Sequence, residues 1–534
     1  MRNNYLLGFA TAFAAWLAWP PISYTSVLLL VAFIPLLIAI ENILNSDAKK
    51  KGKRVFGLAF FTFVIWNTSC IYWVFNSLNA VMPVPVALLV SIIPFGLAAL
   101  LMTTAFWLYS RMRLVTGKLI SYAALICFWL TYEYLHQTWD LSFPWMNLGN
   151  GFSNFHQIIQ WYEFTGVYGG SLWVLLANIL GFEIYIALCE KNELKKLAWS
   201  LAGLVIIPIL YSITIYTNYQ EKTNPSNIVV VQPNIDPYLK FGEMPSSVQL
   251  TQLLKLSDSI GQANTEYFIW PETAIPEDTD EGTIHNNSNY LATQSFLKKY
   301  RNANVLTGIS SYAIYDSPIT ATASYDVVSK KYYDSFNAAV LIENSPKVQF
   351  YHKSKLVPGV ELLPFSTALE FLKPVFAGFG GTTGGYGSQK EPSVFYTQSG
   401  IGAAPVICYE SVWGEYVSDY VNKGAQFIAI ITNDAWWGNT SGKDQHLVYA
   451  KLRAIETRRW VARSANTGIS AFINQRGDIT QQSGWWHATA LKKDINLNDE
   501  LTFYTRHGDY IAKAATILSV VLLLFLLICI YKTK

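Results

Sequence analysis

Three residues in the second half of the chain carry side chains that can together move an acyl group. They are Glu272 in Trp-Pro-Glu-Thr-Ala, Lys353 in Tyr-His-Lys-Ser-Lys and Cys408 in Ile-Cys-Tyr-Glu. A thiol attacks a carbonyl carbon once it gives up its proton. A neighbouring carboxylate can accept that proton and return it to the leaving group. A fixed cation can hold the oxyanion that forms in between. Each residue alone is a weak signal. Surface Glu is common, Lys355 stands two positions from Lys353, and a lone Cys is most often a small buried core residue. Their weight comes from occurring in order, each after a predicted strand, the one before Lys353 being Val348-Gln349-Phe350-Tyr351. Cysteine usage adds to it: Cys70, Cys127, Cys189 and Cys529 lie in or at the ends of long apolar stretches, which leaves Cys408 as the only Cys of residues 218–510.

The elements that must position these groups can be read around them. Short β-branched runs recur at 228–231, 267–270, 304–307, 338–342, 404–407 and 427–431, each bounded by turn residues, as strands require. Between them, Leu250, Leu253, Leu254 and Ile260 fit one amphipathic helix, and Leu447, Leu452, Ile455 and Trp460 fit another. Strands alternating with helices predict an α/β layered domain, whose sites lie beyond the carboxyl ends of strands.

Outside this region the chain changes character. Of its 534 residues, 51% are hydrophobic and 14% are charged, against about 25% charged in an ordinary soluble domain. That excludes a disordered protein, argues against a purely soluble enzyme, and the net charge of +3 gives no reason to expect nucleic acid. Residues 218–510 hold 24 Lys+Arg and 28 Asp+Glu, and the other 241 residues hold 15 and 8. The predicted organisation is a membrane domain over 1–217 with seven transmembrane helices, an α/β domain over 218–510, and an eighth helix with a short tail over 511–534. The eight predicted spans are about 5–20, 24–41, 55–75, 84–109, 119–136, 172–189, 197–216 and 512–531. The first is read as a retained helix rather than a signal peptide, since only Arg2 marks a basic start. With the N-terminus inside, the inner connections carry 14 Lys or Arg and the outer ones none, which places residues 218–510 on the outer side. Among Glu133, His136, Glu163 and Glu183, which lie in or near spans, Glu133 is the deepest and is read as structural.

The words around the three residues resemble those of the apolipoprotein N-acyltransferase family, within the carbon–nitrogen hydrolase (nitrilase) superfamily. Trp270-Pro-Glu-Thr-Ala, Leu356-Val-Pro, Ile407-Cys-Tyr-Glu410, Thr432-Asn-Asp-Ala-Trp-Trp-Gly438 and Phe143-Pro144-Trp145 carry the likeness, together with the plan of seven helices, a large insert and one helix. The resemblance implies a four-layer α-β-β-α sandwich. It implies transfer of an acyl chain from a phospholipid to the terminal amine of diacylglyceryl-cysteine on apolipoproteins, through a thioester on Cys408. Glu272 would be the base and Lys353 the oxyanion-holding cation. Glu361 would be a further essential carboxylate, with Asn337, Tyr409 and Glu410 in support. It further implies no cofactor, a monomer, and a bacterial inner membrane with the catalytic domain in the periplasm. Two details depart from the family: Gly359-Val360 stands where Phe-Gly is frequent, and Phe241 where Trp is frequent.

Phe241, Leu362, Leu363 and Phe365 are the expected lipid contacts. The apolar run from Leu362 to Gly381, with Leu369, Phe371, Leu372, Val375, Phe376 and Phe379, reads as an arm able to enter a leaflet, and the glycines at 380, 381, 384 and 385 as its hinge. An ordinary packed segment is the commoner fate of such a run. No Cys/His spacing suggests a metal. His446 reads as structural, and Arg453, Arg458, Arg459 and Arg463 as a solvated basic face. Two rival functions remain: a membrane-tethered amidase using the same three residues, and a non-enzymatic transporter or receptor.

Overall fold

The computed structural model describes residues 2–80, 82–320, 322–365 and 385–532. It divides into two compact units, Met1–Tyr219 with His507–Lys534, and Gln220–Arg506. The first unit is helical. Ser26–Asn45, Lys51–Ile71, Val84–Val115, Tyr162–Glu190, Lys195–Asn218 and Tyr510–Lys532 are each long and apolar enough to cross a membrane. The expected count of eight is not reached by that measure. Helices do occupy the other two predicted spans, but Arg2–Leu17 has only 16 residues, and the 18 of Lys118–Leu135 include Lys118, Glu133 and three tyrosines. Glu133 is fully buried. Its carboxylate accepts from the Trp129 indole at 2.9 Å and from the Leu148 amide at 2.8 Å, so it pins the start of the 3-10 segment Leu148–Ile159. Glu183 is tied to the Tyr122 hydroxyl and to Lys118.

The second unit is built on two sheets. Strands β1 (Pro225–Gln232), β2 (Thr265–Ile269), β3 (Ile275–Asp280), β4 (Asn304–Tyr315), β5 (Ser324–Asp326), β6 (Lys331–Glu343), β7 (Val348–His352) and β14 (Thr489–Asn496) form the first. Its order is β14-β1-β2-β4-β6-β5, with β3 on β4 and β7 on β6. Strands β8 (Phe395–Tyr396), β9 (Gly402–Ile407), β10 (Phe427–Thr432), β11 (Val461–Ala465), β12 (Ala471–Ile473) and β13 (Ile479–Gln482) run in the order β13-β12-β11-β10-β9-β8. The centre of each sheet is parallel: β1 with β2, β2 with β4, and β9 with β10 with β11. Parallel strands are covered on both faces, which explains why these segments read as unbroken apolar runs.

The sheets face one another. The Tyr267 and Phe427 rings meet edge to face at 5.2 Å, and the Tyr267 hydroxyl donates to the Ile401 carbonyl at 2.8 Å. Helices Ser246–Ile260 and Ser288–Leu297 cover the first sheet, where Leu253, Phe296 and Leu297 pack with Val229, Phe268 and Val305. Helices Gly414–Asn422 and Ser441–Thr457 cover the second. The result is the expected α-β-β-α sandwich.

Candidate active site

The three candidate reacting groups leave the ends of strands. Glu272 follows β2, Lys353 directly follows β7, Cys408 directly follows β9, and Asn337 sits within β6. All four are buried, as is Glu361 from the loop after Lys353. The Lys353 ammonium donates to Oε1 of Glu272 at 3.0 Å and to Oε1 of Glu361 at 2.9 Å. The Asn337 amide donates to the same two oxygens, at 2.8 and 2.7 Å. The second oxygen of Glu361 accepts from the Val357 amide at 2.8 Å, which fastens the turn containing Gly359 (φ +80°). A valine at 360 therefore suits this loop, since Gly359 takes the left-handed position.

The charges set one another. Burial works to raise the Glu272 carboxyl, but Lys353, Asn337 and Lys240 outweigh it and hold it below the usual range. Burial also works to lower Lys353, yet Glu272, Glu361 and Cys408 leave its ammonium well above the ordinary lysine value. The Cys408 thiol is pushed far up, first by burial and then by Glu272, with Lys353 pulling the other way. The resting site is thus a carboxylate, an ammonium and a neutral thiol.

Cys408 sits on a corner. Its φ is +48°, a left-handed conformation that costs a non-glycine residue on the order of 1–3 kcal/mol. A buried network holds it there. The Glu410 carboxylate accepts from the Ile407 amide at 2.8 Å, the Ser354 amide at 2.6 Å and the Tyr351 hydroxyl at 2.5 Å. The Ser411 hydroxyl donates to the Cys408 carbonyl at 2.8 Å. Tyr409 is buried, its ring meeting Trp413 at 4.7 Å.

Three contributors escaped the sequence reading. Lys240 is buried and donates to the Glu272 carbonyl at 2.9 Å and to the Thr273 hydroxyl at 2.8 Å; burial lowers its ammonium to about 7. His446, read as structural, is fully buried with Nε2 3.1 Å from the Cys408 carbonyl oxygen and 2.9 Å from the Ser411 hydroxyl. Behind it, Asp434 lies 2.9 Å from His446 Nδ1 and 2.5 Å from the Arg463 guanidinium. The arginine reading is corrected: Arg453, Arg458, Arg459 and Arg463 are all buried. Arg453 donates to the Val412 carbonyl at 2.8 Å, Arg458 to that of Gln475 at 3.0 Å and Arg459 to that of Ala425 at 3.0 Å. They are internal ties, not a solvated face.

The expected lipid contacts are dispersed in character. Phe241 and Phe365 are exposed, Leu362 is half-buried and Leu363 is buried. The run from Leu369 to Phe379 and the glycines at 380, 381 and 384 lie outside the described residues.

A buried thiol on a strand-end corner, with a carboxylate and an ammonium held beside it, is the equipment of an enzyme that passes acyl groups through a thioester. The carbon–nitrogen hydrolase family matches residues 228–501. The apolipoprotein N-acyltransferase N-terminal domain matches residues 11–180. The apolipoprotein N-acyltransferase of Chlorobaculum tepidum is 28% identical over 524 residues, covering 96% of this chain and 92% of that one. That of Geobacter metallireducens is 26% identical, covering 96% and 93%. Among solved structures, an amidase from Nesterenkonia sp. aligns with 55% of this chain and 97% of its own at 14% identity and a TM-score of 0.37. The chain belongs to the carbon–nitrogen hydrolase family.

Proposed function

We propose that this membrane protein is an N-acyltransferase that moves a fatty acyl chain from a phospholipid to the terminal amine of diacylglyceryl-cysteine on apolipoproteins. The observation that carries this reading is the buried Glu272–Lys353–Cys408 set in a chain whose apolar helices match the acyltransferase N-terminal domain. Relatives named for that activity align along both units, which speaks against a merely tethered amidase.

In the first half-reaction Cys408 Sγ passes its proton to Glu272 and attacks the ester carbonyl of the phospholipid. Since burial disfavours a free thiolate, attack and proton transfer go together. Lys353 holds the oxyanion, and collapse breaks the ester C–O bond. The departing lysophospholipid oxygen takes the proton from Glu272. In the second half-reaction the lipoprotein amine gives a proton to Glu272 and attacks the thioester. The C–S bond breaks, and the sulfur is reprotonated as the amide forms. Glu361 and Asn337 position Lys353 and Glu272 throughout. Phe241, Leu362, Leu363 and Phe365 contribute lipid contact. The distribution of Lys and Arg supports an orientation with the catalytic unit on the outer side of the membrane, and the resemblance to the apolipoprotein N-acyltransferases supports reading that membrane as the bacterial inner membrane and that side as the periplasm.

The test is direct. Purified protein incubated with phospholipid should gain the mass of one acyl chain on Cys408 and lose it when a diacylglyceryl lipopeptide is added. Acyl transfer by a Cys408→Ala variant, or release of ammonia from soluble amides without phospholipid, would overturn the reading.

A further inference from the structure

The Lys/Arg-rich end of the helical unit contains a cleft of about 780 Å³ between helices Lys51–Ile71 and Val84–Val115, lined by Lys50, Lys53, Phe56, Trp107, Arg111 and Leu114 among others. None of its lining residues is acidic. Several other cations at this end are already engaged. Arg113 pairs with Glu41 at 3.1 Å, Lys118 pairs with Glu183 at 3.3 Å, and Lys51 donates to the Leu44 carbonyl at 2.7 Å. Lys50, Lys53 and Arg111, by contrast, have no carboxylate or side-chain hydrogen-bond partner among the described residues.

Two donors converge at one point in this cleft. A side chain starting from Gly52 would stand 3.4 Å from the Trp107 indole nitrogen and 3.5 Å from an Arg111 guanidinium nitrogen. The missing side chain of Gly52 leaves that point open. A guanidinium fork and an indole N–H together suit the oxygens of a phosphodiester. Phe56 and Leu114 supply apolar wall beside them. Basic pockets between membrane helices recognise acidic headgroups for this reason.

We propose that this cleft binds the headgroup of an anionic phospholipid from the leaflet at the Lys/Arg-rich end. The site rests on reading the helical unit as membrane-embedded and is independent of the thioester chemistry, so it is read by lipid retention without any acyl transfer. The full chain in detergent is titrated with phosphatidylglycerol or phosphatidylethanolamine and followed by native mass spectrometry. Phosphatidylglycerol should be retained in preference. Each of Lys50→Gln, Lys53→Gln and Arg111→Gln should weaken it about fivefold, the effect of one basic charge near an acidic surface. Trp107→Phe, which keeps the ring and removes the donor, should weaken it too. Lys196→Gln, at an exposed lysine counted with the same end, should leave retention unchanged, and millimolar inorganic phosphate should not displace the lipid. Equal retention of the two lipids, an equal loss in Lys196→Gln, or displacement by phosphate would each overturn the proposal.

Discussion

The Nε2 atom of His446 stands 3.1 Å from the carbonyl oxygen of Cys408. With its proton on Nε2, the ring donates to that carbonyl and steadies a residue whose φ is +48°. Burial and the Arg463 charge push the His446 pKa down, while Asp434, 2.9 Å from Nδ1, pulls it back up, and the net direction is downward. His446→Leu leaves the carbonyl with Ser411 alone. Losing a buried hydrogen bond costs about 1–3 kcal/mol, so alkylation of Cys408 by iodoacetamide should slow by about five- to a hundredfold. His446→Gln, which can still donate, should recover most of the rate. Peptide-level mass spectrometry is needed, because Cys189 is exposed and will react as well. A purely structural role would lower melting temperature in both variants and leave the two alkylation rates alike.

Glu272 is expected to work as a base only while Lys353 is charged. Its depressed pKa puts the acid limb of acyl transfer below the ordinary carboxylate range. In Lys353→Met, the burial of Glu272 is opposed only by Asn337 and Lys240 and its pKa rises, so the acid limb should move to higher pH while the maximal rate falls. Stability follows the same pair. The lowered Glu272 adds stability above its unfolded pKa of about 4.3, lost as pH falls through the folded value. The raised Lys353 adds stability below about 10.4, lost as pH rises through its own folded value. Denaturation of the Lys353→Met protein should therefore show a shallower pH dependence at both edges. An unmoved acid limb in the variant counts against Glu272 as the base.

The physical reason some of this was legible in sequence lies in where the chemistry sits. Glu272 and Cys408 follow strands whose burial on both faces writes an unbroken apolar run, so the strand marks the position of the residue after it, whereas Lys353 follows the half-buried, mixed β7 and is marked by its neighbours in sequence instead. The buried charges wrote no such mark. Arg463 is paired with Asp434 only because β10 and β11 run parallel side by side, and nothing local to Arg463 announces an acid 29 residues earlier. From Leu447 to Thr457 every residue of the helix that carries Arg453 is buried, and Arg458, Arg459 and Arg463 beyond its end are buried too, so a run of arginines that resembles a wet face is covered on all sides. Lys240 was passed over beside the exposed Phe241, since a lysine turned inward leaves no trace in composition. Two of the eight predicted spans fall short of the length and apolarity of the other six for local reasons: Arg2–Leu17 is short, and Glu133 is a buried hydrogen-bond acceptor that lowers the apolarity of the very segment it stabilises.

Gly308 on β4 is packed against the backbone that carries Glu272. A Cβ at this position would stand 2.3 Å from the Thr273 amide nitrogen and 2.6 Å from the Glu272 Cα. Those atoms are backbone and cannot swing away. Gly308→Ala should cost about 1–3 kcal/mol, the usual range for overpacking, and should displace Glu272 from Lys353. The expected outcome is a lower melting temperature together with a kcat loss larger than any change in KM for the phospholipid. Unchanged kcat in a protein that has lost stability would mean that the strand, not the carboxylate, absorbs the strain.

Asp434 and Arg463 form a fully buried ion pair behind His446. Burial works to raise Asp434, but Arg463 and His446 hold it down at about 2. Removing one member of such a pair leaves an uncompensated charge, which typically costs 3–5 kcal/mol, or roughly that order here. Arg463→Met should therefore be strongly destabilising. It should also raise the Asp434 pKa, so that the variant regains stability as pH is lowered toward the ordinary carboxylate range, where the native protein gains nothing. Asp434→Asn combined with Arg463→Met removes both charges and should recover much of the loss, because the penalty is for the orphaned charge rather than for the missing bond. Chemical denaturation of the single and double variants across pH 4 to 8 separates these cases. Equal destabilisation of the two at every pH would show that the pair contributes shape, not charge, to the floor beneath Cys408.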